Sequence, residues 1–476
     1  MSTALRRLTR AIAVVTALGT FSTGPAQAQD LTLEETRALG AELIAAGALE
    51  DARRIVEALL IRDPEDPVAL ILAARITLAE GDLPQTAELA GRAFAAAEDP
   101  EIRFVAARTA ARATFELGRY TRSQVWLRRA RQLAPDDVEA EAVAEDFRVV
   151  RQLNPLSLDL RFGVRPSSNI NNGSQSETSF LLGLPFELTL SRDAQALSGL
   201  AFELGGTARY RLSQSEVATT FADVSLDTTT YTLSSGARDD LEEAARAQEA
   251  RGDFDSAAGL RDIDGSDYAF VQLSFGLRHR RILREGLAPT SFNARIGQTW
   301  YGGSPYTQFL DTSVGQSVQV DDRSLLRVFA GAQKTFAEDD FDDAFSFRLG
   351  GSVDRVLQGG NLLSLGLSGR VSRSDSPERE YDSVTAGVDY LLDAPVLGLG
   401  LAFGASVERR DFTFSSLTGG PRTDDTLTLT AEAEIGQVEY YGFRPVAQLE
   451  ASRTRSDIAL FDRDYISLGF DLRSAF

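Results

Sequence analysis

The sequence predicts two unlike parts in one chain, an N-terminal α-helical solenoid of tetratricopeptide type followed by a transmembrane antiparallel β-barrel of about 14 strands. Three observations predict it. Gly and Pro recur at near-constant spacing through the first third of the chain. The period of the apolar residues then changes from about 3.6 to about 2 after Asn154-Pro155. From there, long alternating segments run on to Phe476. At 476 residues the chain exceeds one ordinary hydrophobic core, so two domains or one large closed sheet are required.

The first residues read as a signal peptide over 1–28. Arg6, Arg7 and Arg10 precede a short apolar run from Ala11 to Phe21, and Ala26-Gln27-Ala28 supplies small residues for cleavage, which starts the mature chain near Gln29. An uncleaved anchor is the competing reading, but the run is short of the roughly 20 residues that span a bilayer. Position 29 is not Cys, so no lipid anchor is expected there. Cys is absent throughout, which removes disulfides, thiolate metal sites and Cys nucleophiles. An exported barrel that crosses the periplasm unfolded gains nothing from early crosslinks. The 49 basic and 69 acidic residues give a net charge of −20, about −23 without the three signal arginines, so nucleic acid is not an expected partner.

Residues 29–154 form the expected helical periplasmic domain. Leu39, Leu43 and Ile44, then Ile55, Val56, Leu59 and Leu60, recur at helical spacing. Gly47, Gly81 and Gly118 are 34 and 37 residues apart, and Pro64, Pro100 and Pro135 are 36 and 35 apart. That punctuation resembles tetratricopeptide repeats, whose helix pairs bury their apolar faces only by stacking and so build a concave groove. A spacer beside the barrel is the plainer role, and binding a peptide or client protein the sharper one.

Residues 155–476 form the expected barrel. Phe345, Phe347, Leu349, Gly351 and Val353 alternate with Ser346, Arg348, Gly350, Ser352 and Asp354, and Leu363, Leu365 and Leu367 alternate with Ser364, Gly366 and Ser368. In a soluble sandwich the apolar row would face a dry core. Strands of about 10–13 residues, with Arg and Glu in the polar rows, favour lipid outside and a wet lumen inside. The last row, Ile466, Leu468, Phe470, Leu472 and Phe476, resembles the C-terminal signal of outer-membrane proteins. Phe470, Leu472 and Phe476 are thus the expected barrel-assembly signal, with the assembly machinery and the lipid bilayer as partners. Strands are expected to begin near Leu156, Leu200, Glu216, Asp267, Ser291, Thr307, Arg323, Ala344, Asn361, Arg379, Val396, Asp425, Tyr441 and Asp464. With the first running outward, the connections around Asp321, Gln358 and Asp393 become periplasmic turns. Those from Pro166 to Gly199 and from Ser235 to Ser266 become outer loops. The second loop has helix-forming composition and an Arg251-Gly252-Asp253 triplet, read as a solvated helix. The acidic run Glu338, Asp339, Asp340, Asp342 and Asp343 reads as a solvated loop tip.

No catalytic, cofactor-binding or metal residue emerges. His279 is the single His, expected to be structural on a strand near the periplasmic rim, and there is no phosphate-binding loop, HExxH or nucleophile elbow. The protein is not expected to be an enzyme.

The phrase Pro166, Ser168, Asn169, Ile170, Asn171, followed by Pro185, Phe186, Ser198 and Gly199, resembles the opening of the barrel in the surface lipoprotein assembly modulators, the Slam family. Arg444-Pro445 in the penultimate strand and Arg455-Ser456 before the last outer loop are similar to that family too. The resemblance implies an outer-membrane protein that carries surface lipoproteins, or in some members soluble secreted proteins, from periplasm to cell surface. The repeats would capture the client or a periplasmic chaperone. The alternatives are an outer-membrane polysaccharide exporter, for which dense inward Arg and Lys are expected and not evident in the sequence, and a passive porin.

Overall fold

In the computed structural model, which describes residues 31–180, 186–338, 343–438 and 440–474, seven helices lead into a closed barrel. The signal segment, Pro185, residues 339–342 of the acidic run and Phe476 lie outside the described residues.

The helices are α1 (Leu33–Ala45), α2 (Leu49–Arg62), α3 (Pro67–Glu80), α4 (Leu83–Ala96), α5 (Pro100–Glu116), α6 (Tyr120–Gln132) and α7 (Asp137–Leu153). Their boundaries explain the recurring punctuation. Gly47, Gly81 and Gly118 sit at the turns within each pair with φ of 77°, 83° and 70°, a left-handed conformation that favours Gly. Asp66 and Asp99 cap the helices that open with Pro67 and Pro100, each side chain accepting backbone N–H bonds. Asp66 is fully buried, and its second oxygen holds Arg37 at 2.7 Å. Between the layers the contacts are small: Ala69, Ala74, Ala90, Ala93, Ala106, Ala107 and Ala110 are all buried, which lets neighbouring helices approach closely. Leu70 and Ile71 centre one cluster with Leu89, and Phe104, Leu127, Val143 and Phe147 centre the next, with α7 closing the stack.

The barrel strands are β1 (Leu156–Ser167), β4 (Gly199–Gln214), β5 (Ala218–Leu233), β6 (Phe270–Arg281), β7 (Thr290–Tyr301), β8 (Ser304–Asp321), β9 (Ser324–Ala337), β10 (Ala344–Val356), β11 (Leu362–Ser374), β12 (Tyr381–Leu391), β13 (Leu399–Ser415), β14 (Gly420–Ile435), β15 (Phe443–Ser456) and β16 (Arg463–Ser474). Each pairs antiparallel with the next, and β16 returns to β1 with Phe162 opposite Leu472 and Val164 opposite Phe470, which closes a barrel of 14 strands. Closure leaves no open edge and satisfies the backbone within the wall. A short ribbon, β2 (Thr178–Ser179) with β3 (Leu188–Thr189), lies in the first outer loop.

Thirteen of the strands begin within three residues of their expected starts. The exception is β14, which begins at Gly420 rather than near Asp425. Its first residues lack an apolar row. They are held instead by Arg422, whose guanidinium lies 3.7 Å from the Phe412 ring centre and 3.8 Å from that of Phe461.

The wall is inverted relative to a soluble core. Leu367 is 61% exposed and Phe470 59%, and the same outward rows carry Phe347, Leu349, Leu365 and Leu468. A contiguous girdle of this kind belongs in lipid. The two expected long connections are present at one end of the barrel, called the outer end as in the sequence reading, whereas β7 and β8 join at that end through only Gly302 and Gly303, both at positive φ. The Asp393 connection between β12 and β13 lies at the opposite end. The second long loop forms α8 (Ser235–Ala250) and α9 (Phe254–Asp262). The Arg251-Gly252-Asp253 triplet is the turn between them, with Gly252 at φ 83° and Asp253 capping α9.

Candidate functional site

Two concave surfaces stand out, one in the helical stack and one inside the barrel. The first is a cavity of about 700 Å³ in the helical stack, between α3, α5, α6 and α7. Leu78, Phe104, Phe115, Leu127 and Val149 give it an apolar floor, and Arg75, Arg108 and Arg112 stand around it. Arg108 reaches Glu139 at 2.7 Å and Asp146 at 3.9 Å, while Arg75 is exposed with no ion pair among the described residues. Such a surface suits an extended amphipathic segment better than a compact polar metabolite.

The helical stack is seated on the barrel end from which β1 starts. Asn154 bridges the two: its amide donates to Thr121 Oγ1 and Gln124 Oε1, and its side-chain oxygen accepts from the N–H of Leu156. Arg211 at the end of β4 donates to the carbonyls of Gln152 and Leu153. Across the mouth, Arg128 and Gln132 of α6 hold the backbone of Tyr441 in the β14–β15 turn, at 3.3 Å and 3.2 Å.

The second surface is the lumen. Inward arginines are denser than the sequence reading allowed, with Arg161 and Arg165 on β1, Arg209 on β4, Arg278 and Arg280 on β6, Arg295 on β7, Arg348 on β10 and Arg473 on β16. Strand order and register, which sequence alone does not supply, gather all but Arg348 on the wall from β16 through β1 to β7 and set Arg348 across from them. Most meet carboxylates one or two strands away. Arg165 lies 2.7 Å from Glu203, Arg161 2.9 Å from Asp227, and Arg444 2.8 Å from Glu434. Arg473 grips both oxygens of Glu432, at 2.8 and 3.0 Å, and Arg348 and Arg327 pair with Asp311 and Asp354. Arg209, Arg278 and Arg280 carry no ion pair among the described residues. The lumen is therefore a charge-balanced lattice with one cationic stretch, and a cavity of about 660 Å³ with a polar lining lies beside β1, β4, β5 and β16.

The resemblance residues occupy the opposite, outer end. Pro166, opposite Leu200, and the Ser168 hydroxyl, which accepts from the N–H of Ile466, frame the end of β1. Asn169 closes a local ring with Gly173, donating to its carbonyl at 2.8 Å and accepting from its N–H at 2.9 Å. Asn171 donates to the carbonyls of Asp193 and Gln195 and accepts from the N–H of Leu197. Ile170 is buried in a small core with Leu197, Leu233, Leu241 and Leu260, so both long outer loops fold into one dome. Ser198 bonds the hydroxyl of Ser234, the cap of α8, and Gly199 packs so closely on Ile170 and the Thr232 carbonyl that a side chain there would collide. Within the dome, burial, aided by Asp193, pushes the Tyr268 phenol up to about 12.

The structure thus brings the Asn-Ile-Asn phrase against Ser198-Gly199, whereas Phe186 is exposed and apart from them. Phe470 and Leu472 lie on the outward row of β16, opposite Val164 and Phe162 of β1 and so several residues down the wall from that phrase. His279 also lies on an outward row, with Nδ1 3.0 Å from Thr220 Oγ1. Sequence reasoning did not find the Tyr441 clamp or the lumenal pairs. Both depend on which residues face each other across strands and turns distant in the chain.

No protein-family profile matches the chain, and no curated protein matches it. Among solved structures, Acinetobacter baumannii OccAB3 matches at 8% identity with a TM-score of 0.35, covering 67% of this chain and 98% of that one. An outer membrane channel from Pseudomonas putida F1 matches at 9% identity and 0.31, covering 67% and 95%. The Yersinia enterocolitica type III secretion translocator chaperone SycD matches at 19% identity and 0.23, covering 25% of this chain and 84% of that one. The assignment of architecture rests on the chain's own ladder: a helical region, then a closed antiparallel barrel of 14 strands with a polar lumen and an apolar exterior.

Proposed function

We propose that this protein is an outer-membrane translocon of Slam type, which delivers surface lipoproteins or other client proteins from periplasm to cell surface. The observation that carries the reading is the seating of the grooved helical stack on the inner mouth of the barrel through Asn154, Arg211 and the Tyr441 clamp. A passive channel has no use for a binding groove fixed at one opening. In this reading the helical domain lies in the periplasm, its groove takes an extended stretch of the client, with or without a chaperone, and the chain passes into the lumen. No nucleotide is present in that compartment, so net movement draws on client binding and on folding outside. The role is transport rather than catalysis.

The polysaccharide exporter is the second reading, favoured by the cationic stretch at Arg209, Arg278 and Arg280. The matched carboxylates along the rest of the lumen weigh against it, because a polyanion would meet Glu203, Asp227 and Glu432 as often as an arginine. Deleting the gene and labelling surface proteins on intact cells tests both. Loss of one or more lipoproteins from the surface with intact polysaccharide is expected, and the reverse pattern would overturn the proposal.

A further inference from the structure

The outward face of the barrel is apolar around most of its girth but changes at the outer rim on one side. On β4 to β7 the outward positions near that rim include Leu204, Thr228, Val271 and Trp300, which are aligned across the strands and uncharged. On β12 to β15, register stacks two rows. Val384, Arg409, Asp425 and Arg455 form the outer one, and Ala386, Val407, Leu427 and Arg453 the one beneath. Together they line a groove of about 560 Å³ on the wall. The next row down, Val388, Ala405, Leu429 and Ala451, sets small residues beside large ones and joins the groove to the apolar band.

The three guanidiniums at the head of this groove are loosely engaged. Arg409 stands 3.2 Å from Asp411 and 3.7 Å from Asp425, while Arg453 and Arg455 share Asp464 at 3.5 and 3.6 Å. Fully engaged charge-assisted pairs measure about 2.7–2.9 Å, as Arg165 does with Glu203 in the lumen at 2.7 Å. Arg409 gives its Nε–H to Asp411 and Arg455 one N–H to the Thr454 carbonyl, and the remaining N–H groups of the three stand ready to take a tetrahedral oxyanion directly above a surface shaped for hydrocarbon. Free phosphate would use the forks and leave the apolar floor unused. A neutral lipid would do the reverse.

We infer that this groove binds a phosphorylated, multiply acylated glycolipid of the outer leaflet, with its phosphates on Arg409, Arg453 and Arg455 and an acyl chain along Val407, Leu427 and Leu429. The inference rests on the barrel spanning the membrane and not on client transport, so either can fail alone. The test uses the full-length protein in detergent micelles, titrated with lipid A bearing two phosphates, with the same lipid stripped of phosphate, and with inorganic phosphate as competitor, bound lipid being counted by native mass spectrometry. The two-phosphate form is expected to bind about tenfold or more tightly than the stripped form. The Arg409→Ala, Arg453→Ala, Arg455→Ala triple variant is expected to lose that preference, the corresponding triple Lys variant to keep part of it, and Lys334→Ala to keep all of it. Heat-modifiable gel mobility checks that each variant is folded. Equal binding of both lipids, or an unchanged preference in the folded triple variants, overturns the inference. Displacement of the lipid by inorganic phosphate at matched concentration overturns it in favour of a simple ion site.

Discussion

The helical stack and the barrel use the same apolar residue types in opposite ways. In the stack, Leu70 and Val143 are fully buried among alanines, and the charged residues other than the capping Asp66 look outward. In the barrel, Leu367 and Phe470 look outward and the charged residues pair inside, as Arg165 does with Glu203 and Asp471. One chain therefore folds against two solvents. In the stack, water drives burial of the apolar face. In the wall, closure of the hydrogen-bonded ladder holds the fold, and lipid takes the place of the missing core.

Four measurements break or sharpen that contrast. Leu70→Ala is expected to cost about 2–5 kcal/mol, read as a lowered denaturation midpoint of the helical signal in the full-length protein; a cost near zero would mean the stack has no dry core. Leu367→Arg, near the middle of β11, is expected to cost about 2–4 kcal/mol in folding titrations into lipid vesicles, against little for Ser368→Arg on the lumenal side. Equal costs on the two faces would abolish the inversion.

Asn171→Ala removes a side chain that bonds four backbone groups of the outer dome, and about 1–3 kcal/mol of local stability should go with it. Faster hydrogen exchange confined to α8, α9 and the first outer loop is the expected signature, and uniform exchange would show that the dome is not a unit. The smallest effect is on pH. Hydrogen bonds from Arg261 hold the carboxyls of Glu242 and Glu249 below their usual range. Groups lowered on folding stabilise above the unfolded carboxyl value of about 4.3 and lose that contribution as pH falls through the folded values. The α8–α9 hairpin should therefore lose exchange protection in acid while the barrel strands keep theirs. Unchanged protection between about pH 6 and about pH 3 would assign the hairpin's stability to Leu241 and Leu260 alone.

Much of this contrast is legible in the sequence because it is periodic. Alternation along Phe345 to Asp354 marks β10, and Gly81 and Pro100 mark helix ends, since each signal is local to a few residues. The β14 start is not legible, because Arg422 is held by Phe412 and Phe461 rather than by a row of its own. Nor is the dome. Ile170 reads as one apolar residue in an Asn-rich turn until Leu197, Leu241 and Leu260 arrive around it from two loops. The groove in the stack is legible as a consequence of repeats, but its arginines are not, since Arg75 and Arg108 stand on different helices.

The grip of Arg128 and Gln132 on Tyr441 has a temporal consequence. Tyr441 lies in the turn between β14 and β15, near the end of the chain, whereas α6 is among its earlier parts. The helical domain can fold on its own contacts well before the wall exists, tethered only through Asn154. It reaches its final seat only when the β14–β15 hairpin has been placed. Docking of the stack thus reports on the progress of the wall: a chain without the β14–β15 turn holds the stack only on the side of Asn154 and Arg211, and a chain with it fixes the stack across the mouth.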